Sequence, residues 1–578
     1  MTAYEKKRFG IVAFGLTFLS FLFFQLFYPY HLFFKEQIQL FLFTPDYFLS
    51  YFHKPAWLTS YAGDFLTQFY YLRGGGATVT ALLFGVEWLF SAIIIKRITF
   101  SKNAALTALF PVAIDWILHC DLLHPVSVTV GFIVTLFLFL IYNSLSNRWI
   151  SILTGLIFAL SGYWLVGSSF LLFPILIMAS DWKKGSFSLL KWALMGAIIF
   201  SIPFIFRHNY LLTIFQSYLY PAIKWQSLLL PASLILTIMG TFRLKQVEAR
   251  NPRMLDATLS FTLIILLFFG IKANANFDRE KILSLDNEFY FGNADRVIAL
   301  SRKYDLKSQS ATYFTNMALA KQGLLPEYLL DFYQPATYGL ILPVTPDQNW
   351  QSIFVSNEVF FLIGDMNLAQ HSAMLGNTFS PYQRSARMMK RLAEINLINK
   401  DTAAASKYLR ILSNTLFYKK WAQTRLDMNH ISASNKWLNE KRAQTVNTDT
   451  LRQSNNYIAS LNFLVGQHPD NLIALDYLLC YHLLNKDLKS FKKVYDQYGR
   501  LINRPVPSLY SEAMLIQLFA SKANTDIVAN YSLPAKKIKD FGDYTRLFEQ
   551  TKGDINALKG RFGKSYWFYY HFATIQKK

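Results

Sequence analysis

The sequence contains very little cysteine. Cys120 and Cys480 are the only two cysteines among 578 residues. Two thiols are too few for a disulfide framework or for a zinc site built from thiolates. The second half of the chain also lacks a Walker phosphate loop, a GxSxG turn and an HExxH helix. It therefore carries no standard signature of an NTPase, a serine hydrolase or a zinc protease.

Acidic residues are fewer than basic residues. The chain has 58 Lys and Arg against 36 Asp and Glu, which gives a formal net charge of +22. A basic surface often binds nucleic acid. Here, however, many of the basic residues stand in short stretches between apolar runs, where such residues orient a membrane protein instead. We therefore expect no nucleic-acid partner.

Long apolar runs fill the first half of the chain, up to about Gly270. A helix of about 20 apolar residues is long enough to cross a bilayer. On this criterion residues 1–273 are predicted to form a polytopic bundle of about nine spans. The predicted spans are Phe9–Phe27, Ala77–Ile95, Ala104–Leu118, Val126–Tyr142, Ile150–Val166, Phe170–Ser180, Leu189–Phe206, Gln226–Thr241 and Leu255–Ile271.

Basic residues also predict how this bundle is oriented. Lys6, Lys7 and Arg8 precede the first span, and no small-x-small cleavage pattern follows it. This indicates a retained signal anchor with its N-terminus in the cytoplasm. The basic residues of later loops fall on alternate sides, as the positive-inside rule requires. An odd number of spans then places the chain after Lys272 outside, in the periplasm of a bacterium.

Residues 274–578 are charged and helical by periodicity. Two of their segments look alike, Met388–Leu412 and Ala474–Tyr498, because each has two amphipathic helices joined by an Asn-Lys-Asp turn. Such pairs resemble tetratricopeptide (TPR) repeats, whose stacked helices build a concave binding surface. The chain is therefore predicted to be all-α, with a membrane bundle followed by a periplasmic TPR-like domain that binds proteins. Between Leu325 and Pro381, where prolines are frequent, we expect long loops.

The stretch between the first two spans, residues 33–76, is rich in Phe, Tyr, Leu and Trp. This composition is typical of short amphipathic helices that lie in the bilayer interface, with their aromatic rings at headgroup level. Two acids stand out, Glu36 after the first span and Asp64 on the second helical segment. A carboxylate partly removed from water is a candidate catalytic base for a hydroxyl nucleophile. An exposed interfacial acid, in contrast, needs no such role.

The densest group of ionisable residues is the stretch DWILHCDLLHP, at the outer end of the third span and in the loop after it. On a helix Asp115 and His119 share a face at i,i+4, and Asp121 and His124 share one at i,i+3. Carboxylates and imidazoles so placed are candidates to coordinate a divalent cation, Mg²⁺ or Mn²⁺, or to hold a diphosphate through one. The alternative is a helix end whose polar residues simply meet water.

Three other ionisable residues lie in or beside spans, where such residues are energetically costly. Glu87, within the second span, is predicted to face the bundle interior as the packing partner of a polar group. Arg207 and His208 begin another outer loop, where they are candidates to bind a lipid phosphate. An arginine at the end of a span also serves as a headgroup anchor.

Together these features resemble the GT-C class of glycosyltransferases. The shared features are an acid after the first span, a large first outer loop with interfacial helices, acids in the second outer loop, and a periplasmic C-terminal domain. The resemblance covers roughly residues 1–275 and implies a multi-span enzyme that uses polyprenyl-phosphate-linked sugars. It places Glu36 at the acid after the first span, and Asp121 with Asp115 at the acids of the second outer loop. The Asp-Glu or Asp-x-Asp pairs usual in that class are absent here.

The whole chain also resembles an uncharacterised family of Bacteroidota membrane proteins. The residues that carry this second resemblance are Glu36-Gln37-x-Gln39-Leu40-Phe41 and Phe65-Leu66-Thr67-Gln68-Phe69. No activity follows from it. It implies the inner membrane of a Gram-negative bacterium.

The sequence therefore favours an enzyme that transfers a sugar or a glycan from a polyprenyl phosphate carrier to a periplasmic acceptor, with protein glycosylation as the favoured subtype. The predicted site residues are, for catalysis, Glu36 and Asp64; for donor phosphate or metal, Asp115, His119, Asp121 and His124; and for the leaving phosphate, Arg207 and His208. The rival hypothesis is a non-enzymatic envelope scaffold, which leaves the aromatic loop and the clustered acids unexplained. A transporter is a third option, weakened because the ionisable residues gather at the outer ends of spans.

Overall fold

The computed structural model describes residues 3–184, 189–222, 224–342, 350–427, 435–446, 456–499, 504–523 and 525–574. The regular elements within these residues are all helices, which confirms the predicted all-α class. The chain divides into two compact units. The first unit comprises Met1–Glu280 and Asn414–Lys419, and the second comprises Lys281–Ser413 and Lys420–Lys578.

The first unit begins with α1 and a short π-helical turn that continues it, Phe23–Phe27. Its α-helices are α1 (Ala3–Leu22), α2 (Tyr30–Gln37), α3 (Pro45–Phe52), α4 (Trp57–Thr67), α5 (Gly75–Thr99), α6 (Ala104–Thr107), α7 (Leu109–His119), α8 (Val126–Ser144), α9 (Arg148–Val166), α10 (Leu172–Lys184), α11 (Leu189–Phe206), α12 (Ile214–Leu219), α13 (Leu229–Arg250) and α14 (Pro252–Asn274).

The division between the units falls within the next helix, α15 (Phe277–Tyr290), after Glu280. The helices that follow are α16 (Ala294–Tyr304), α17 (Gln309–Lys321), α18 (Leu325–Tyr328), α19 (Trp350–Ile363), α20 (Met366–Phe379), α21 (Ala386–Ile398), α22 (Thr402–Ser413), α23 (Lys419–Leu426), α24 (Lys436–Ala443), α25 (Tyr457–Gln467), α26 (Leu472–Leu484), α27 (Leu488–Gln497), α28 (Ser508–Ala520), α29 (Thr525–Ala529), α30 (Ala535–Gln550), α31 (Ile555–Phe562) and α32 (Tyr566–Phe572).

Six helical stretches among the described residues are long and apolar enough to cross a membrane, by length and composition. They are Lys6–Phe27, Gly75–Thr99, Val126–Ser144, Trp149–Val166, Trp225–Lys245 and Pro252–Asn274. Three further apolar stretches of the first unit are shorter, Ala104–His119, Ser168–Trp182 and Trp192–Phe206. They coincide with the other three predicted spans, so the count of nine stays a prediction.

The long helices of the first unit are apolar on both their inner and outer faces. Phe84, Trp88 and Phe132 lie fully inside the bundle and form part of one continuous core. On α14, in contrast, Phe261 is 65% exposed and Phe268 is 62% exposed. A soluble surface rarely carries such a stripe of exposed large apolar side chains, so the outer faces of these helices suit a lipid environment.

In the second unit the same turn joins several consecutive helices. Lys400 and Lys486 both adopt a left-handed backbone, with φ of 61° and 59°. In each turn the next residue donates its backbone N–H to a carbonyl five residues earlier, Asp401 to Asn396 over 3.0 Å and Asp487 to His482 over 2.8 Å. This bond closes the end of a helix as a Schellman motif. The two predicted helix pairs are thus present as α21–α22 and α26–α27.

The expectation of long loops between Leu325 and Pro381 holds only in part. Between α18 and α19 the described residues form just two short 3-10 turns, Leu329–Asp331 and Ala336–Gly339, whereas the rest of the region contains two 14-residue helices, α19 and α20. The residues of α19 from Ile353 to Ile363 are all buried, and a helix buried on every side shows no amphipathic period in its sequence. Pro326 stands in the first turn of α18, where proline is tolerated. Pro343 and Pro346 lie outside the described residues.

Candidate functional site

The structure brings together three of the predicted site residues in the first unit. Asp115 and His119 project from the same face of α7, and His119 Nε2 lies 3.7 Å from Asp115 Oδ2. His124 approaches the same carboxylate from the following loop, with Nε2 3.7 Å from Asp115 Oδ1. One potential ligand atom from each of these residues lies within 4.8 Å of the other two. We call this group the Asp115 cluster.

The loop after α7 explains how His124 reaches Asp115. A series of tight turns starts where α7 ends, with Asp121 donating its N–H to Leu118 and His124 donating its N–H to Asp121. Pro125 then stands before the first residue of α8 in an extended conformation. The residues from 120 to 125 are therefore not helical, and the predicted i,i+3 pairing of Asp121 with His124 is wrong.

Asp121 has other partners than the Asp115 cluster. Its Oδ2 forms an ion pair with Lys224 Nζ, and its Oδ1 accepts the backbone N–H of Leu123 over 3.1 Å. Burial alone raises the pKa of Asp121, but these hydrogen bonds and the nearby lysines outweigh burial and lower it. Asp121 is thus a paired carboxylate beside the cluster.

Thr129 and Glu87 complete the surroundings of the Asp115 cluster. The hydroxyl of Thr129, on α8, donates to Asp115 and lies 2.7 Å from Oδ2 and 2.9 Å from His119 Nε2. Glu87 is fully buried near the middle of α5, and Asp115 is the neighbouring charged group with which it interacts. The interaction combines the charge of Asp115 with a side-chain hydrogen bond between the two carboxyl groups. As predicted, Glu87 faces the interior.

Helix α2 of the first loop lies against the backbone of this region. His31 Nε2 donates to the carbonyl oxygen of His119 over 3.1 Å, and Lys35 Nζ donates to the carbonyl oxygen of His124 over 3.1 Å. Burial lowers the pKa of Lys35 to about 8, although the nearby Asp121 favours the charged form. Burial also lowers the pKa of His31 well below its usual value, and the charge of Lys35 adds to this effect.

The N-terminus of α2 is occupied by a carboxylate from far along the chain. Glu280 accepts the backbone N–H of Tyr30 over 2.5 Å and that of His31 over 3.0 Å. Free N–H groups at a helix N-terminus favour a negative charge. Burial has the larger effect here and raises the pKa of Glu280 to about 8.

Glu36, the predicted catalytic base, is buried and has a tyrosine partner. Tyr418 donates its hydroxyl proton to Glu36 Oε2 over 3.1 Å. Tyr418 belongs to Asn414–Lys419, the short segment that is part of the first unit. Phe43 donates its backbone N–H to Asn414 in the same segment over 2.7 Å, and the Phe417 ring stacks on Tyr71 with centroids 5.3 Å apart. The segment is thus built into the aromatic first loop.

The remaining predicted residues have separate surroundings. Asp64 is half-buried and accepts the Tyr51 hydroxyl over 2.5 Å. The Arg207 guanidinium lies 4.2 Å from the centroid of the Phe204 ring, and His208 is exposed. Whether these three residues act with the Asp115 cluster therefore stays a prediction.

Sequence reasoning missed several residues of this site for identifiable reasons. His31 and Lys35 stand at i,i+4 on α2, a signal that was available but was hidden among the aromatic residues of the loop. Thr129 is an ordinary residue for an apolar helix. Glu280 and Tyr418 lie 249 and 382 residues from the groups they bind, and no local pattern reports so distant a contact.

The second unit contains a cavity of about 410 Å³ with many charged and aromatic side chains. Behind it lies a buried network in which Arg387 contacts both Asp286 and Glu358 at 2.8 Å. Arg391 also contacts Glu358, over 2.5 Å. The residues of the cavity wall include Lys321, Lys390, Arg391, Lys441, Phe361 and Trp437.

The lysines of this cavity face aromatic rings. Lys321 Nζ lies 5.5 Å from the centroid of Phe289, and Lys390 Nζ lies 5.0 Å from that of Tyr290. Lys441 Nζ donates to the carbonyl oxygen of Phe361 over 3.2 Å, in the last turn of α19. Burial lowers the pKa of Lys441 to about 8. The cavity thus combines basic side chains with aromatic rings, and Glu358, Glu394 and Glu440 also line it.

The fold and the site define an all-helical protein with membrane-length helices around a buried group of ionisable residues. The chain belongs to the family described as "Family of unknown function (DUF6057)", whose sequence profile matches residues 4–573. No curated protein and no solved structure matches the chain.

Proposed function

We propose that the protein is a membrane-bound glycosyltransferase that moves a sugar or a preassembled glycan from a polyprenyl-phosphate carrier to an acceptor. The observation that carries this proposal is the contact of α2 with the Asp115 cluster, through the hydrogen bonds of His31 and Lys35. These bonds place the helix that bears Glu36 beside the cluster. Ionisable groups concentrated among apolar helices are typical of a functional site.

Glu36 and Asp64 are the proposed catalytic carboxylates. Each accepts a tyrosine hydroxyl, Glu36 from Tyr418 and Asp64 from Tyr51. A general base must be held in one orientation toward the proton that it removes, and these hydroxyl groups provide that restraint. Removal of a proton from an acceptor hydroxyl or amide is the step that a carboxylate in the first loop would assist.

Phosphate is the other group that the site has to bind. The proposed ligands of the donor phosphate, directly or through a divalent cation such as Mg²⁺ or Mn²⁺, are Asp115, His119, Asp121 and His124. Lys35 and Lys224 add positive charge in this region, since each is close to Asp121. Arg207 and His208 are proposed to neutralise the leaving phosphate, a common electrostatic role for basic residues.

The proposed setting is the inner membrane of a Gram-negative bacterium, with nine spans, a cytoplasmic N-terminus and a periplasmic second unit. The six long apolar helices and the three shorter ones support this number. The helix pairs of the second unit support a TPR-like domain that binds a protein acceptor or a partner protein. Protein glycosylation is therefore the favoured subtype, and the architecture is proposed to be of the GT-C class.

Complementation of a deletion strain tests the proposed activity. Periplasmic and envelope glycoconjugates are compared in cells that lack the protein and in cells that produce, at equal levels, the wild type or Glu36→Gln. We expect one glycan class to be lost on deletion and restored by the wild type but not by Glu36→Gln. Asp46→Asn is the matched control, because Asp46 is an exposed acid of the same loop. Unchanged glycans in the deletion strain would reject the enzyme.

Cysteine labelling in whole cells tests the proposed orientation. Both native cysteines are buried, so they give little background. A membrane-impermeant maleimide is expected to label Asp46→Cys from outside, and to label Lys102→Cys only after the inner membrane is opened. The reverse pattern would overturn the orientation, whatever the activity proves to be.

The second candidate is a membrane-anchored scaffold, which the cavity with basic and aromatic side chains in the second unit favours. Such a cavity suits an acidic segment of a partner protein, because ammonium groups pair with carboxylates while the rings supply apolar contact. This candidate predicts that Lys321→Glu with Lys390→Glu abolishes complementation of an envelope defect, such as detergent sensitivity, whereas Glu36→Gln complements fully. The opposite result would support the enzyme.

A further inference from the structure

The environment of Glu87 and Asp115 is unusual for a buried site. Both carboxyl groups are fully buried, they interact with each other, and they are surrounded by apolar helices. Two carboxylates cannot both keep their charge in such a place without a compensating cation, because an uncompensated buried charge costs several kcal/mol.

Two imidazole nitrogens at this place lack a hydrogen-bond partner. Among the described residues, neither His119 Nδ1 nor His124 Nε2 has one, and His124 Nε2 lies 3.7 Å from Asp115 Oδ1. Most buried polar side-chain atoms in proteins are hydrogen-bonded, so two such exceptions at one place require an explanation. Imidazole nitrogens and carboxyl oxygens can both bind a metal ion, and apolar packing alone does not use this ability.

We propose that Asp115, His119 and His124 bind one divalent transition-metal ion of the zinc class, with Glu87 beside Asp115 as an outer neighbour of the site. A dication would balance the two carboxylates and would use the lone pairs of neutral imidazoles. In a tetrahedral site with bonds of about 2.0–2.1 Å, ligand atoms stand roughly 3.3–3.4 Å apart. His119 Nε2 and His124 Nε2 each lie 3.7 Å from an oxygen of Asp115. To bind the ion through Nε2, His119 would exchange its hydrogen bond with Thr129 for the metal.

The ligand types select the kind of metal. Mg²⁺ and Ca²⁺ prefer oxygen ligands, whereas imidazole favours zinc, iron and other transition metals. Thr129 has the position of a supporting residue, because its hydroxyl donates to Asp115 and orients the carboxylate. This assignment replaces Mg²⁺ or Mn²⁺ by a metal of the zinc class as the divalent cation of the proposed transferase site. The role of the ion depends on the proposed function. The presence of the ion does not.

Metal analysis of the purified full-length protein tests this proposal. The protein is extracted in detergent without chelator, and its metals are quantified by mass spectrometry. We expect about one equivalent of zinc or iron per chain for the wild type and less than about a tenth for His124→Ala. His53→Ala is the matched control and should retain the metal, because His53 is exposed on the first loop. Glu87→Gln should weaken the affinity at least about tenfold.

A second measurement needs no variant. Chelated wild-type protein is titrated with Co²⁺, which gives visible absorption bands characteristic of its coordination, and then with Zn²⁺, which should displace it. Bound Zn²⁺ should also raise the unfolding temperature, because a ligand that binds the folded state stabilises it. Thr129→Val should keep the fold and weaken Co²⁺ binding about 10- to 100-fold.

The outcomes separate this proposal from the proposed function. Absence of bound metal, of a Co²⁺ spectrum and of a thermal shift would overturn the metal site even if glycans depend on Glu36. Binding of Mg²⁺ alone would overturn the zinc class. A full complement of zinc in a protein whose deletion changes no glycan would uphold the metal site and reject the transferase.

Discussion

The hydroxyl of Tyr418 donates a hydrogen bond to Glu36 Oε2 over 3.1 Å, although 382 residues separate the two. Both side chains are buried, so water cannot replace the bond. Hydrogen bonds to a charged group contribute about 1.5–3 kcal/mol. Tyr418 thereby fixes both the position of the proposed base and part of the stability of the first loop.

Tyr418→Phe is expected to lower the free energy of unfolding by about 1–3 kcal/mol, because it leaves a buried carboxylate oxygen without this donor. The change is measured as the unfolding temperature of the full chain in detergent. If Glu36 is the base, the same variant should also reduce formation of the Glu36-dependent glycan. Tyr498→Phe is the control, since the Tyr498 hydroxyl bonds only an exposed glutamine in the contacts shown. Equal unfolding temperatures for the two variants would contradict this assignment.

Gly63→Ala is expected to destabilise the packing of α4 on α8. An added Cβ would stand 2.6 Å from the backbone nitrogen of Ser127 and 2.8 Å from its Cα. Backbone atoms of a packed helix cannot move away cheaply, so we expect a loss of about 1–3 kcal/mol. Gly15→Ala serves as the control, because nothing lies within 4 Å of its added Cβ. Thermal unfolding followed by tryptophan fluorescence compares the two, and an unaffected Gly63→Ala protein would refute the close approach.

Stability should fall with rising pH through Glu280. Its pKa is raised to about 8 by burial, whereas the unfolded chain has the ordinary carboxyl value of about 4.3. Between these two values the folded state keeps a proton that the unfolded state has lost, so the free energy of unfolding decreases as the pH rises. Glu280→Gln stays neutral and should be the more stable protein at pH 8.5, by an amount on the order of a few kcal/mol. A stability difference between the two proteins that is the same at pH 5 and pH 8.5 would contradict the raised pKa.

Removing Arg387 should be costly for the second unit. Its guanidinium contacts Asp286 and Glu358, and all three side chains are buried. Arg387→Met leaves these carboxylates without their shared partner, for an expected loss of about 3–5 kcal/mol. Lys436→Ala, which removes an exposed ion pair with Glu440, should cost less than about 1 kcal/mol.

Thermal unfolding of the full chain measures both losses. If Arg387→Met yields no folded protein, Arg391→Met offers a milder test, because Glu358 then keeps Arg387. Similar behaviour of Arg391→Met and Lys436→Ala would show that the buried network contributes little.

Both native cysteines should be unreactive until the protein unfolds. Burial raises the pKa of Cys120 to about 12 and raises the pKa of Cys480 well above its usual value. Since the thiolate is the reactive form, we expect labelling by a thiol reagent at pH 8 to be at least about a hundredfold slower than for an exposed thiol. Asp46→Cys supplies that exposed thiol in the same chain. Two rapidly labelled cysteines in the folded wild type would refute the burial.

Local patterns in the sequence were sufficient for much of the fold. Apolar runs predicted the six long helices, and the two Asn-Lys-Asp turns predicted the helix pairs around Lys400 and Lys486. The shared face of Asp115 and His119 followed from helical geometry alone. The helix α19 was missed because its burial on every side removes the polar half of the pattern.

The rest of the candidate site depends on tertiary contacts. His124 joins Asp115 because the chain turns back after α7, whereas the sequence analysis paired His124 with Asp121 at helical spacing. Glu87 and Thr129 reach the cluster from α5 and α8, and helix packing of this kind has no signature in one sequence. Glu36 could be singled out as an acid just after the first apolar run, but neither its burial nor its partner Tyr418 could be predicted.

The segment Asn414–Lys419 has a consequence for how the protein is made. It belongs to the first unit, yet the ribosome reaches Tyr418 only after it has synthesised 382 residues beyond Glu36. At about 5–20 residues per second, that takes roughly 20–75 s. During this interval the apolar helices are already synthesised, whereas the first loop still lacks the aromatic side chains of residues 417 and 418. The proposed base is therefore completed late in synthesis, after most of the chain has been translated.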